Sequence, residues 1–358
     1  MTRAPMAMSR YPRHRPRLRG FSLIELMIAV AVTLFVVLAV TTLFTNSSAA
    51  RKEIENAGQQ IENGRYAIGL IREDVRLAGY YGELTTSYSS ATWALPSNPC
   101  DPTLANLGFN ASTSTMPVAV SGFEGHDTAI GALSPQCITN RVANSDVLVV
   151  RRASTTLTSP APTSGSKPYL QASLQTALCP SPEAAFVFDI PRSPTSYTLH
   201  KGDCATVTPV RQYHVHIYYV SACDDCASND GIPTLKRVEL SGNAMTTTSL
   251  AQGIADLRID YGLDTNNDGA PDVFKKCGAD SAYSGPCSAA DWANVMMVKV
   301  YLLTRNVESS PGYLDDKTYD MGLVGTLPAF TGDARNYKRH VYSTPIRLVN
   351  VSDRREMP

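Results

Sequence analysis

The sequence predicts an α+β fold: a long N-terminal helix, membrane-type in its first half and amphipathic in its second, packed on an antiparallel, β-rich, disulfide-bonded head. Three observations predict this fold. An apolar run at residues 21–44 leads into a stretch with helical periodicity. Seven short β-branched or aromatic segments follow without alternating helices, which is typical of antiparallel sheet. All eight cysteines lie beyond the apolar run, on one side of a possible membrane anchor.

Residues 1–20 form a basic leader. They contain six arginines and no acidic residue, and the chain without them has 26 basic and 32 acidic residues, a net charge of −6. Met6 and Met8 are alternative starts that would shorten the leader. Affinity for a phosphate backbone comes mainly from Lys and Arg, so we expect no general nucleic-acid binding. A basic face with interleaved aromatic residues on the folded head would instead favour nucleic-acid binding.

Residues 21–44 are predicted to form a single membrane-spanning helix. At about 1.5 Å per residue it spans roughly 36 Å, enough to cross a bilayer. The arginine-rich flank predicts a cytoplasmic N-terminus, with the remainder of the chain on the other side of the membrane. A secretory signal peptide has a shorter apolar region followed by a small-residue cleavage site. Here Gly20 precedes a long apolar run, so cleavage there would leave the helix on the mature chain.

Glu25 is the single charged residue in this apolar segment. A carboxylate deep in hydrocarbon costs about 2.5–3.5 kcal/mol on insertion scales, and such residues usually have a partner. The alternative is that Glu25 lies at the level of the lipid headgroups, where its charge costs little. The residues around it decide between these interpretations.

The segment at residues 20–26, GFSLIEL, resembles the type IV prepilin processing motif. The resemblance combines the basic leader, the glycine, the aromatic residue, the glutamate at a fixed distance and the uninterrupted apolar helix. It implies that prepilin peptidase cuts after Gly20 and methylates the new N-terminal residue, Phe21. It also implies that Glu25 pairs with the terminal amine of a neighbouring subunit, because pairing removes much of the cost of burying either charge alone.

Residues 45–82 are predicted to continue the helix in amphipathic form. Ile54, Ile61, Ile68 and Val75 recur every seven residues, with charged residues between them, and we assign this stripe to the core. Glycines within the stretch weaken the helix by up to about 1 kcal/mol each, which makes local bending or melting an expectation. Glycines at 79 and 82 are predicted to end the helix.

Residues 83–358 are predicted to form the β-rich head. Residues 85–145 are rich in Ser, Thr, Asn and Pro, and are expected to be a loop-heavy insertion held by Cys100 and Cys137. The predicted strands are 146–152, 184–190, 211–220, 235–240, 254–261, 295–304 and 341–349.

The cysteines predict disulfides formed in an oxidising compartment, because their number is even and they lie on one side of the anchor. The alternative is eight buried thiols in a reducing cell. The sequence does not choose among the possible pairings, and nearest-neighbour closure is the working hypothesis. The expected pairs are Cys100–Cys137, Cys179–Cys204, Cys223–Cys226 and Cys277–Cys287.

Several segments of the head resemble PilW-type minor pilins. They are residues 78–82, 145–151, 218–220, 260–262, 292–305 and 346–350. The resemblance covers most of residues 20–350 and is weakest at 85–145. It implies a protein held in the inner membrane with its head in the periplasm before it joins the pilus. It also implies a role in priming pilus assembly at or near the tip. The implied partners are other minor and major pilins, the inner-membrane assembly platform and a PilY-type tip adhesin.

The segment at residues 264–272 is the candidate ligand site, a possible calcium loop. Oxygen ligands at alternate positions, a glycine at the sixth and an acid at the ninth follow the first part of the EF-hand pattern. The twelfth position, normally a bidentate glutamate, is Lys275, which weakens the match. The alternative is a hairpin turn, since Asn-Asp-Gly is itself a turn signal. The predicted ligands are Asp264, Asn266, Asp268, Ala270 (through its carbonyl) and Asp272.

Other candidate sites are disfavoured. His214 and His216 share a strand face, but no acidic or histidine motif joins them, so a solvated or aromatic-packed face is preferred to a zinc site. The Cys223/Cys226 pair follows a strand rather than opening a helix, which favours a local structural disulfide over a redox or zinc motif. No G-x-S-x-G elbow, Walker loop, H-E-x-x-H motif or dinucleotide fingerprint occurs, and the S-x-x-K match at residues 164–167 is assigned to chance in a low-complexity loop. We therefore expect no enzymatic activity and no catalytic residue.

The sequence thus predicts a structural minor pilin that acts in type IV pilus initiation or at the tip. Two alternatives stay open. One is a minor pseudopilin of a type II secretion system. The other is a tip-located module that adheres to surfaces or binds DNA.

Overall fold

The structure is a computed structural model, and it describes residues 20–86, 92–133, 136–159, 162–175, 178–191, 197–278 and 285–356. The arginines of the predicted leader lie outside these residues. The chain divides after Glu55 into two compact units, which are described separately.

Four α-helices lie within the described ranges, and the first is much the longest. They are α1 (Leu23–Arg76), α2 (Ala129–Leu133), α3 (Ala289–Ala293) and α4 (Val349–Glu356). Short 3-10 segments occupy Gly82–Thr86, Leu104–Asn106, Ala111–Thr113, Gly322–Val324 and Gly332–Asn336.

The strands of the described ranges all lie in the second unit. They are β1 (Thr92–Ala94), β2 (Thr115–Pro117), β3 (Val120–Phe123), β4 (Val147–Ala153), β5 (Tyr169–Ala172), β6 (Phe186–Asp189), β7 (Arg211–Ser221), β8 (Thr234–Ser241), β9 (Ala244–Gln252), β10 (Ile254–Leu263), β11 (Val273–Lys275), β12 (Val295–Arg305), β13 (Tyr319–Asp320), β14 (Thr326–Leu327) and β15 (Arg339–Arg347).

The first unit contains the apolar half of α1. Residues 20–52 are all exposed, and α1 is the one helix of the described residues that is long and apolar enough to cross a membrane. The hydroxyls of Thr33 and Thr41 donate to the carbonyls of Ala29 and Val37, one turn earlier. These polar groups are therefore satisfied within the helix, as the interior of a bilayer requires.

The second unit contains two main sheets. The smaller has the order β11-β10-β12-β15. In the larger, β3, β4, β7, β5 and β6 lie in that order, and β8 pairs with both β7 and β9. Strand β7 pairs with β4 along one edge; along the other it pairs with β5 near its start and with β8 near its end. Both sheets are antiparallel, which confirms the predicted α+β class; the short β1–β2 pair is parallel.

Each predicted strand overlaps an observed strand, with two kinds of difference. The last prediction, 341–349, extends too far, because β15 ends at Arg347 and Val349 begins α4. Strand β9 was missed because it is polar and mostly exposed, and therefore lacks apolar alternation. The Gly-Asn pair at 242–243 was the available signal, since such a pair between two strands is typical of a hairpin.

Residues 85–145 are more regular than the predicted loop-heavy insertion. Among the residues described there, β3 joins the edge of the larger sheet by pairing with β4. The segment also supplies the β1–β2 pair and helix α2. Its short elements escaped prediction because Ser, Thr and Pro dominate its composition, and these residues are typical of turns.

Alternate residues of β7 face two different cores. Tyr218 and Val220 lie in the core that contains Ile71 and Val75 of α1 together with residues of both sheets. Their neighbours at 213, 215, 217 and 219 lie in a second core on the opposite face of the larger sheet. The period-2 alternation of a strand therefore separates a helix-facing side from an outer side.

The heptad stripe on α1 is only partly buried. Val75 is fully buried, but Ile54 and Ile61 are 72% and 44% exposed, so their assignment to the core is wrong. On an ideal α-helix, positions seven residues apart are rotated by about 20° from each other. Residues of a strict seven-residue repeat therefore turn gradually away from a straight contact face. The observed contact face instead includes Gln60, whose side-chain amide donates to the carbonyl of Thr304 over 3.2 Å.

The glycines of α1 do not interrupt the helix, which continues to Arg76, short of the predicted boundary at residue 82. Gly64 is a buried contact position, where an added Cβ would meet the ring of Tyr342. Gly79, just after the helix, has a φ of +71°, the left-handed conformation that glycine adopts readily at helix ends.

A buried ion network joins the two sheets. Asp146, beside β4, accepts hydrogen bonds from the backbone N–H groups of Gly125 (2.8 Å) and Ile259 (2.9 Å). Lys276 donates to the same carboxylate over 2.6 Å and to the carbonyl of Ile259 over 2.8 Å. The side chain of Lys276 is fully buried. Since Ile259 belongs to β10 of the smaller sheet, this network ties the larger sheet to the smaller one.

The cysteines are bonded in consecutive pairs along the chain. Closed loops of this kind stabilise a fold mainly by constraining the unfolded chain. The pairs are Cys100–Cys137, Cys179–Cys204, Cys223–Cys226 and Cys277–Cys287.

Candidate functional site

The predicted processing site lies at the start of α1. Gly20 precedes the helix, and no atom lies within 4 Å of the position that a Cβ would take there. Phe21 is 87% exposed. Neither steric crowding nor a left-handed backbone therefore requires glycine at position 20, and a requirement for it would come from a protein that binds this segment.

Glu25 has a role within the chain that the sequence analysis missed. Its carboxylate accepts a hydrogen bond from the backbone N–H of Ser22 over 3.1 Å, and the Ser22 hydroxyl accepts from the N–H of Ile24 over 3.3 Å. Ser22 therefore caps α1 and Glu25 bonds back to it as in a capping box, except that the Ser22 hydroxyl accepts from the second helical residue instead of the third; the S-x-x-E spacing was the signal. The carboxylate also lies at the end of α1 where the helix dipole favours a negative charge.

The predicted calcium loop forms a compact turn after β10. The buried carboxylate of Asp264 accepts from the backbone N–H groups of Asn267 (2.6 Å) and Gly269 (2.9 Å). Asp272 accepts from both the N–H and the hydroxyl of Thr265, which lowers the pKa of its carboxyl group. The ninth-position acid therefore folds back across the turn.

The remaining predicted ligands lie in the same turn. The Asn266 amide donates to Asp268 and to Asp272, both over 3.2 Å, and Asp268 accepts from the N–H of Ala270 over 2.8 Å. Lys275, at the twelfth position, ends β11. Calcium binding by this loop stays a prediction.

We expect Ca²⁺ to bind this loop at one site per chain, because carboxylate and amide oxygens within one turn suit a hard cation. Calorimetric titration of the full-length protein in detergent is the measurement. Asp268→Ala is expected to abolish the heat of binding, while Asp203→Ala, which alters an exposed turn elsewhere, keeps it. Absence of heat from the unaltered protein at millimolar Ca²⁺ would leave the plain turn as the correct interpretation.

His214 and His216 lie beside each other on the helix-facing side of β7, as predicted, with ring centroids 5.5 Å apart. Pairing of β7 with β8 places Glu239 directly opposite His216. The Glu239 Oε1 atom lies 3.8 Å from His214 Nδ1 and 3.8 Å from His216 Nε2. The prediction that no acidic residue joins these histidines is therefore wrong in three dimensions.

Asp74 approaches the same residues from α1. Its carboxylate accepts from His216 Nδ1 (2.6 Å), from the Tyr218 hydroxyl (2.9 Å) and from Arg152 Nε (2.7 Å). We call Asp74, His214, His216 and Glu239 the histidine cluster. His216 is only 4% exposed and packs against the ring of Tyr218, so the second of the two expected surroundings, a solvated or an aromatic-packed face, is observed.

The pKa values in the histidine cluster reflect burial opposed by pairing. Burial raises the pKa of Asp74, but its bonds to His216 and Arg152 outweigh this and hold the pKa well below its usual range. Burial lowers the pKa of His216, but its hydrogen bond to Asp74 and the nearby carboxylate of Glu239 bring the pKa above the ordinary value. Burial lowers the pKa of His214. The two rings hold the pKa of Glu239 well below its usual range.

The acidic members of the cluster lie far from the histidines in sequence, at separations that no local motif spans. One signal was present: Asp74 follows Ile71 by three residues, on the face of α1 that is otherwise apolar. A carboxylate on a buried helix face requires a partner. The partner of Asp74 could be identified only from the positions of the strands in the structure.

Comparison with known families gives two matches. Residues 15–41 match the model described as the prokaryotic N-terminal methylation motif. Residues 217–350 match the model described as type IV pilus-assembly protein W. The first match contains Gly20, Phe21 and Glu25, and the second runs from β7 to the start of α4. Comparisons with curated proteins and with solved structures gave no significant match.

Proposed function

Since the chain is a PilW-type type IV pilin, we propose that it serves as a minor pilin in the initiation or tip complex of a type IV pilus. The observation that carries this proposal is the combination of a methylation motif with a helix whose apolar half is entirely exposed. An exposed apolar helix of this length needs a bilayer or a bundle of similar helices around it. Both environments exist in the life of a pilin.

The proposed sequence of events begins in the inner membrane. Prepilin peptidase cuts after Gly20 and methylates Phe21, and the assembly platform then moves the mature chain into a filament. There Glu25 pairs with the terminal amine of a neighbouring pilin. The head is the part that distinguishes this chain from a major pilin, and a PilY-type adhesin is the proposed partner at the tip.

A strain that lacks the gene tests this function. We expect it to lose most surface pili, counted by electron microscopy, and to regain them with the wild-type gene. Secretion of the substrates of a type II secretion system is expected to be unchanged in this strain. Normal pili with defective secretion would instead identify a minor pseudopilin, and normal pili with lost adhesion or DNA uptake would identify a tip-located binding module.

Processing is tested in the same strain with variants of Gly20. Gly20→Glu is expected to leave uncleaved precursor in the membrane, detected by its larger mass on immunoblots, and to abolish complementation. Gly20→Ala is the matched control and should be tolerated, because it adds a single uncharged methyl group, which meets no atom of the chain. Normal cleavage of Gly20→Glu would overturn the processing assignment.

A further inference from the structure

We propose that His214 Nδ1, His216 Nε2 and Glu239 Oε1 form a binding site for Zn²⁺ on the helix-facing side of the larger sheet, with solvent water as the fourth ligand. The three ligand atoms all lie within 4.8 Å of one another. Two imidazoles and one carboxylate are a ligand set that zinc uses when one coordination position stays open. This site is separate from the proposed role in pilus assembly.

The spacing of the three atoms suits a tetrahedral ion. Zinc binds imidazole nitrogen and carboxylate oxygen at about 2.0–2.2 Å, so adjacent ligands of a tetrahedral site lie about 3.3–3.6 Å apart. Both imidazole–carboxylate distances are 3.8 Å. Closing the shell therefore needs shifts of only a few tenths of an ångström for these pairs, and somewhat more for the pair of histidines.

The ligand nitrogens have no competing hydrogen bond. Among the described residues, neither His214 Nδ1 nor His216 Nε2 has a hydrogen-bond partner, although both atoms are buried. A buried nitrogen without a partner is costly, and an ion would remove that cost at both rings. His216 as a whole is only 4% exposed.

The residues around the ligands already hold two of them in orientation. Asp74 bonds Nδ1 of His216, which places the proton of the neutral ring on Nδ1 and leaves the lone pair of Nε2 directed away from Asp74. Arg237 donates to Oε2 of Glu239 over 3.0 Å and leaves Oε1 near the rings. Carboxylate–histidine–metal arrangements of this kind fix the ring and raise its basicity as a ligand.

The partial exposure of the cluster and the lack of competing thiolates also favour zinc binding there. The side chains of His214 and Glu239 are 17% and 29% exposed, so two of the three ligand residues are partly exposed to solvent. A cavity of about 210 Å³, lined in part by Asp74, Arg152 and Arg237, adjoins the cluster. None of the eight cysteines is free, so thiolates do not compete for zinc. A bound ion would join β7 to β8 directly, and would join both strands to α1 through Asp74.

The test uses the full-length protein in detergent and ZnCl₂ as the probe, titrated against a chromophoric chelator. We expect one Zn²⁺ per chain. His214→Ala and Glu239→Gln are each expected to weaken the affinity more than about tenfold, since each removes a ligand. His200→Ala is the matched control, because His200 also pairs with a carboxylate, Glu183, but lies outside the cluster.

Folding of each variant is checked by circular dichroism and thermal melting without metal. His214→Ala removes a ring whose Nδ1 has no hydrogen-bond partner, so its fold should survive. Zinc should raise the melting temperature of the wild type and of His200→Ala, but not that of His214→Ala. Failure of the folded wild type to bind zinc, or equal affinity in wild type and His214→Ala, would overturn the proposal.

Discussion

Glu25→Gln is expected to be processed normally and yet to assemble few or no pili. Glutamine keeps a side-chain oxygen that accepts from the Ser22 N–H, as Glu25 does over 3.1 Å, so the start of α1 should be preserved. The substitution removes the negative charge, and a neighbour's terminal ammonium then lacks its partner in an apolar filament core. Removing one partner of a buried ion pair costs about 3–5 kcal/mol. Pilus counts and immunoblots of mature protein measure the two effects separately.

Two further variants distinguish subunit pairing from helix capping. Ser22→Ala removes the hydroxyl that accepts from Ile24 but keeps the carboxylate, and we expect it to retain most pili. Glu55→Gln alters an exposed charge further along the same helix and serves as the control for charge loss. Wild-type pilus numbers in Glu25→Gln, or an equal loss in Ser22→Ala, would contradict the pairing role.

Lys276→Met is expected to lower the free energy of unfolding of the head by about 3–5 kcal/mol, because it leaves the buried carboxylate of Asp146 without the ammonium that it bonds over 2.6 Å. Unfolding by urea with the disulfides intact is the measurement. Fluorescence of Trp292 reports it, because this residue is buried against Tyr261 of the smaller sheet with ring centroids 4.7 Å apart.

A double-mutant cycle establishes that the loss comes from an unpaired charge. Lys276→Met combined with Asp146→Asn removes both charges and keeps an oxygen for one backbone N–H. Its loss in free energy of unfolding should therefore be smaller than the sum of the losses of the two single variants. Lys275→Met is the matched control at the adjacent, partly exposed position, with an expected change below about 1 kcal/mol. Additive losses would show that Lys276 does not stabilise the head through its pair with Asp146.

The head was predictable where its segments have strong local patterns. The segment at 211–220 alternates aromatic and β-branched residues, and β7 extends only one residue beyond the predicted end. The short strands of residues 85–145 were not predictable, because their stability comes from β4 and other distant partners. The heptad stripe on α1 led to a wrong assignment of Ile54 and Ile61 to the core. Periodicity indicates that a helix has an apolar face, but not how far a packing partner extends along that face.

The sequence by itself determined the motif and apolar helix of the N-terminal segment and the class of the fold. The motif at 20–26 and the apolar run that follows are local, and residues a few positions apart on one helix are neighbours whatever the rest of the chain does. Only the tertiary structure decided the histidine cluster and the ion network of Asp146 with Lys276. The histidine cluster is drawn from two strands and a helix. Asp146 and Lys276 are 130 residues apart and lie next to β4 and β11. Strand order and register bring such residues together, and a shift of one residue would turn Glu239 to the opposite face of the sheet, away from His216.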